Sequence, residues 1–136
     1  MARSHAAAAL LALLLAHQGR AAGPPRPLSE QAKIEFLLGE VKKSDDVFIR
    51  NGKQYSGGRA SAHLATKLHF AGKRVQTATD FILGIASKSE ETGKLYEVHT
   101  RGGLREPLRD WLLARLQLHE KAHPPPPARD VTPRLP

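Results

Sequence analysis

The run Val47-Phe48-Ile49, followed by Asn51-Gly52 and then by Ser56-Gly57-Gly58, constrains this chain more than any other stretch. Three β-branched or aromatic residues in a row favour a strand. Asn-Gly is the pair preferred in two-residue hairpin turns of type I′, because both central positions need positive φ. Gln54-Tyr55 then supplies a return strand, or the turn stands alone. From Ser56 onward the pattern becomes helical, with Ala60, Leu64, Leu68 and Ala71 on one side. Gly72 suits the C-terminal end, where a left-handed residue costs glycine little.

The remaining elements follow from the same periodicities. Ser29 is an N-cap, with Glu30 beside the positive helix end, and Ile34, Leu37, Leu38 and Val41 form an amphipathic stripe. Thr77 with Asp80 reads as a variant capping box for a third helix whose apolar face is Ala78, Phe81, Ile82 and Ile85. Ser87 to Gly93 is a polar loop. Leu95 to Val98 is strand-prone, and Arg101-Gly102-Gly103 is a turn. Pro107 fits the first turn of a last helix carrying Leu108, Trp111, Leu112 and Leu116. The expected class is α+β, with four helices packed on a small two- to three-stranded antiparallel sheet. The only tryptophan, Trp111, is expected in the core.

The expected domain occupies residues 29–121. Before it, Met1–Ala21 has the three parts of an export signal: a weakly basic start, an apolar run from Ala6 to Ala16, and small residues flanking a cut after Ala21. That run is too short for a membrane span, so a cleaved signal peptide is expected, followed by a linker over 22–28. After the domain, residues 122–136 are a Pro-rich tail expected to be disordered, with polyproline II character. The Arg/Pro/Ala bias of both ends points to a GC-rich bacterium and hence to the periplasm. Cysteine is absent, which excludes disulfides, thiolate metal sites and thiol nucleophiles. The seven histidines show no metal-ligand spacing. No catalytic, cofactor or metal residue is assigned.

The motifs taken together have a known counterpart. F-I-R-N-G at Phe48–Gly52, A-x-x-H-L-x-x-K-L at Ala60–Leu68, T-A-x-D-F-I at Thr77–Ile82, S-K-S-x-x-T-G-K-x-Y at Ser87–Tyr96 and P-L-x-x-W-L at Pro107–Leu112 occur in this order. In that order they resemble the YfeK-like family of small bacterial periplasmic proteins, a family with no assigned biochemical function. The resemblance spans roughly Ile34 to Leu116. It implies export and a shared fold, and it names no substrate. Leu95 stands where the family's proline is expected.

Function has to be sought in charge and in polar pairs. The chain carries a formal net charge of +8. From Val47 to Thr79 there is no acid, while Arg50, Lys53, Arg59, Lys67, Lys73 and Arg74 fall there with His63 and His69. Such a surface attracts phosphates, acidic glycans or anionic lipid heads. It is equally what a solvated face looks like in a basic protein. His63 and Lys67 lie one turn apart beside the buried stripe of the second helix. They either face a groove, or Lys67 snorkels while His63 makes one hydrogen bond at the core edge.

The candidate ligand-binding residues are Arg50, Asn51, Tyr55, Arg59, His63 and Lys67. The leading expectation is a non-enzymatic periplasmic binding or accessory protein, whose partner is an anionic envelope component or a protein. The alternative is a small hydrolase or lyase using His63 and Lys67, with Ser89 or Thr92 nearby. Nucleic acid is disfavoured by export and by the lack of interleaved aromatics. An integral membrane protein is not expected, and the sequence fixes no oligomeric state.

Overall fold

The computed structural model describes residues 27–128. The export-signal reading, most of the linker and the end of the tail lie outside the described residues.

Four helices and a four-stranded antiparallel sheet make an α+β fold. The strand number corrects the expected two to three. The strands β1 (Val47–Arg50), β2 (Lys53–Tyr55), β3 (Glu97–His99) and β4 (Arg105–Pro107) lie in the order β2-β1-β3-β4. Asn51 and Gly52 both have positive φ, 51° and 76°, so the hairpin turn forms as its sequence dictates and pairs Phe48 with Tyr55. The element missed is β4. Arg105-Glu106-Pro107 has neither alternation nor β-branching, and pairing with β3 creates the strand. Pro107 lacks an N–H, which an edge strand tolerates. It closes β4 and caps α4 (Leu108–Ala122), instead of sitting in that helix's first turn.

The helix α1 (Glu30–Lys43) starts at Ser29, whose Oγ accepts from the Ala32 amide at 3.1 Å. The helix α2 (Gly57–Ala71) starts at Ser56, whose Oγ accepts from Arg59. Its close approach to α1 depends on Gly57. A Cβ there would clash with the Val41 carbonyl oxygen and stand 2.7 Å from that of Ser44. Gly57 therefore lets the start of α2 lie against the carbonyl end of α1.

The third helix departs from its expected form. The capping box is complete: Thr77 Oγ1 accepts from Asp80, and Asp80 accepts from Thr77. After one turn, α3 (Ala78–Asp80), the backbone widens into a π-helix over Phe81–Ile85. Phe81, Ile82 and Ile85 are buried as predicted, while Leu83 is left 54% exposed.

Phe48 and Val98 face the helices, with Trp111 edge-on to Phe48 at 5.7 Å. Leu37, Val41, Leu64, Leu112 and Leu116 complete the core. Arg115 lies over the Trp111 ring, 3.2 Å from its centroid, and 3.5 Å from Glu40. A second polar tie links three helices: Glu30 accepts from the Ala78 amide at 2.8 Å and pairs with Lys33, which also meets Glu120. Those donors hold the Glu30 carboxyl below its usual range, the Ala78 amide foremost.

Candidate functional site

The hairpin and α2 enclose a cleft. Its walls are Phe48, Arg50, Tyr55, Arg59, Ala60, His63, Leu64, Tyr96 and Leu108, together with Ile49 and Glu97, and its volume is about 220 Å³. Sequence periodicity alone places Ala60, His63 and Leu64 on one face of α2. The Phe48–Tyr55 pairing brings β2 beside them. Tyr96 and Leu108 join because the Leu108 amide donates to the Tyr96 carbonyl at 2.8 Å, which seats the start of α4 against the end of the loop before β3.

Of the six candidate residues, four line this cleft: Arg50, Tyr55, Arg59 and His63. Asn51 and Lys67 do not. The Asn51 side chain is occupied in holding the 87–95 loop: its Nδ2 donates to Ser89 Oγ at 3.2 Å, and its Oδ1 accepts from Thr92 Oγ1 at 2.5 Å. Ser89 and Thr92 are thus committed to the hairpin turn.

Lys67 is an internal tie. Its Nζ donates to the Ile85 carbonyl at 2.8 Å, the Lys88 carbonyl at 3.1 Å and Tyr96 Oη at 3.2 Å. An ammonium has three donors and no acceptor, so all of Lys67's hydrogen-bonding capacity is used. It also stands at the carbonyl end of the π-helix, where a cation is favourable.

That geometry bears on the protons next to the cleft. Tyr96 Oη accepts from Lys67 and lies 3.3 Å from His63 Nε2. Tyr96 is buried, so its single proton must be donated to avoid an unsatisfied group. His63 Nε2 is the acceptor, which places the ring proton on Nδ1. His63 is therefore neutral here. Burial pushes its pKa below the ordinary histidine value, helped by the charges of Arg50 and Lys67 and opposed by Glu91.

Arg50 is the other telling residue. Its guanidinium reaches Glu91 at 3.7 Å, too long for a hydrogen bond. Its Nε is buried and has no hydrogen-bond partner among the described residues. The remaining cations do not gather here: Arg74 lines a separate groove with Phe70, Val75 and Leu83.

Sequence reasoning missed the part of Tyr96 and Leu108. Both come from more than thirty residues downstream of His63, and no local signal announces that β3 returns beside β1. Phe48 was legible only as a strand residue.

Among the described residues, no helix is long and apolar enough to cross a membrane. The model of a family of unknown function, DUF5329, matches residues 28–120. Over 68 residues the chain is 40% identical to the uncharacterized protein YfeK of Salmonella typhimurium strain LT2, which covers 49% of this chain and 57% of that protein. The chain thus spans somewhat more than half the length of that relative, and the match bears out the resemblance drawn from the motifs. No solved structure matches.

Proposed function

The chain belongs to the DUF5329 family of unknown function, and we propose that it is an exported binding or accessory protein of the bacterial envelope whose cleft between the hairpin and α2 recognises an anionic group. The observation that carries this reading is Arg50. Arg50 lines the cleft and its guanidinium makes only a long contact with Glu91, which leaves its outer N–H donors for a ligand oxygen. Arg59 adds a second positive charge to the lining, which His63 also joins.

The alternative, a hydrolase or lyase built on His63 and Lys67, has less support. A nucleophilic lysine needs a free lone pair, and Lys67 is held as an ammonium by three acceptors. His63 meets a second polar group, Tyr96, at 3.3 Å, but that group is itself locked to Lys67.

Two experiments test the reading. Cell fractionation with and without Met1–Ala21 reports export. A pull-down of the purified chain from envelope extract, at low and high salt, reports the ligand. Salt-sensitive retention that is lost in Arg50→Gln is expected. Retention unchanged by that substitution overturns the role of the cleft.

A further inference from the structure

We infer that the cleft takes a small monocarboxylate with an apolar body, its carboxylate toward Arg50, Arg59 and His63 and its hydrocarbon part against Phe48, Leu64, Tyr96 and Leu108. This inference rests on the anion-recognising cleft proposed above and narrows it to a ligand class.

Three features of the site define that class. The first is donor chemistry. Arg50 and Arg59 both line the cleft, and a guanidinium carries only donors. A head group that faces two guanidinium groups is best matched by an acceptor alone, as an ionised carboxylate is. A neutral amide or an alcohol would bring a proton for which the guanidinium groups offer no acceptor, leaving it only a tyrosine hydroxyl such as that of Tyr55.

The second feature is net charge. Glu91 offsets part of Arg50, and burial holds the His63 pKa below the ordinary histidine value. Lys67 is turned away into the loop carbonyls. Glu97 borders the cleft, but alternation with buried Val98 turns its carboxylate to the other sheet face beside His99, so between one and two positive charges stand on the wall. That balances a monoanion and under-compensates a phosphate dianion, whose second charge would be desolvated without a partner.

The third feature is size and lining. The volume of about 220 Å³ lies well below the roughly 300–1,000 Å³ of sites for drug-sized ligands. At about 30 Å³ per small group, as in liquid water, it admits on the order of seven non-hydrogen atoms. Most of the wall is aromatic or aliphatic. A short branched, linear or aromatic acid fits this description, whereas a glycan chain or a lipid with full-length tails does not.

The test is isothermal titration calorimetry of the purified full chain at pH 7 and low salt. The probes are hexanoate, benzoate, hexanamide, hexyl phosphate, and inorganic phosphate and sulfate. Hexanoate or benzoate should bind at least ten-fold more tightly than hexanamide, hexyl phosphate and the inorganic ions. Arg50→Gln should weaken that binding at least ten-fold while leaving the thermal unfolding midpoint within a few degrees. Should Arg50→Gln unfold the protein, Arg59→Gln, at an exposed position, serves with the same expectation. Equal, Arg50-dependent binding of inorganic phosphate or hexyl phosphate would overturn the carboxylate class and leave the anion cleft standing. Equal binding of hexanamide would overturn recognition of the charge. No binding of any probe at millimolar concentration would overturn the ligand class, and the salt-dependent pull-down then decides the anion cleft separately.

Discussion

Lys67 Nζ and Tyr96 Oη stand 3.2 Å apart, and because the ammonium can only donate, the tyrosine proton is directed to His63. Replacing Lys67 by Met keeps the stem and removes the donors. The carbonyls of Ile85 and Lys88 and the buried Tyr96 hydroxyl then lose a partner. A loss of about 1–3 kcal/mol is expected, read as a fall in the urea midpoint. Tyr96→Phe, which leaves Lys67 two acceptors, should cost less, about 1 kcal/mol. Equal stability of Lys67→Met and the parent would show that the lysine is not a structural tie.

Protonation of His63 sets the acid response. Its folded-state pKa is depressed, chiefly by burial and then by Arg50 and Lys67, so the unfolded chain takes up the proton first as pH falls. Stability is complete above the unfolded value near pH 6.5 and declines as pH drops through the folded one. His119, stacked on Phe36 with ring centroids 3.7 Å apart, is depressed in the same direction by burial and by His123. The melting temperature should therefore fall between pH 7 and pH 5. His63→Gln should remove part of that slope and leave the part due to His119. A slope identical in the variant would contradict the assignment.

Gly57 and Gly58 are neighbours with opposite expected behaviour. A side chain at Gly57 meets the backbone oxygens of Val41 and Ser44, which cannot give way as a flexible side chain can. Gly57→Ala should destabilise by about 1–3 kcal/mol or more, roughly 4–8 °C in melting temperature per kcal/mol for a domain of this size. Gly58 has nothing within 4 Å of a Cβ. Gly58→Ala should raise stability by about 0.5–1 kcal/mol, through lower chain entropy in the unfolded state. Calorimetric melts of the two variants decide the matter.

Trp111 is 2% exposed and carries Phe48 on its edge and Arg115 on its face. Trp111→Ala should cost about 3–5 kcal/mol. Arg115→Ala should cost less, on the order of 0.5–2 kcal/mol from the lost cation–π contact. Denaturant titrations of both variants give the ordering, and the reverse order would show that the guanidinium outweighs the indole.

What the sequence made legible is local. Ser29, Thr77 and Asp80 act as caps because a cap depends on residues within one turn of it. Asn51-Gly52 turns the chain because positive φ is a property of those residues. The stripe Ile34, Leu37, Val41 is buried because helical spacing determines which side faces inward. What was hidden depends on pairing across distance. Strand β4 exists only beside β3, and Asn51 was offered as a ligand contact although its side chain is spent on Ser89 and Thr92, about forty residues away. Lys67 was placed correctly beside the buried stripe of α2. The three acceptors that occupy it lie on segments whose proximity no periodicity reveals.

The π-helix at Phe81–Ile85 has one residue more per turn than a regular helix would use. Rewinding the same five residues as an ordinary helix would rotate everything downstream by about 100°. The Ile85 carbonyl would then point away from Lys67. Homologous chains that keep the lysine are accordingly expected either to keep the widened turn or to show a one-residue gap where the turn is regular.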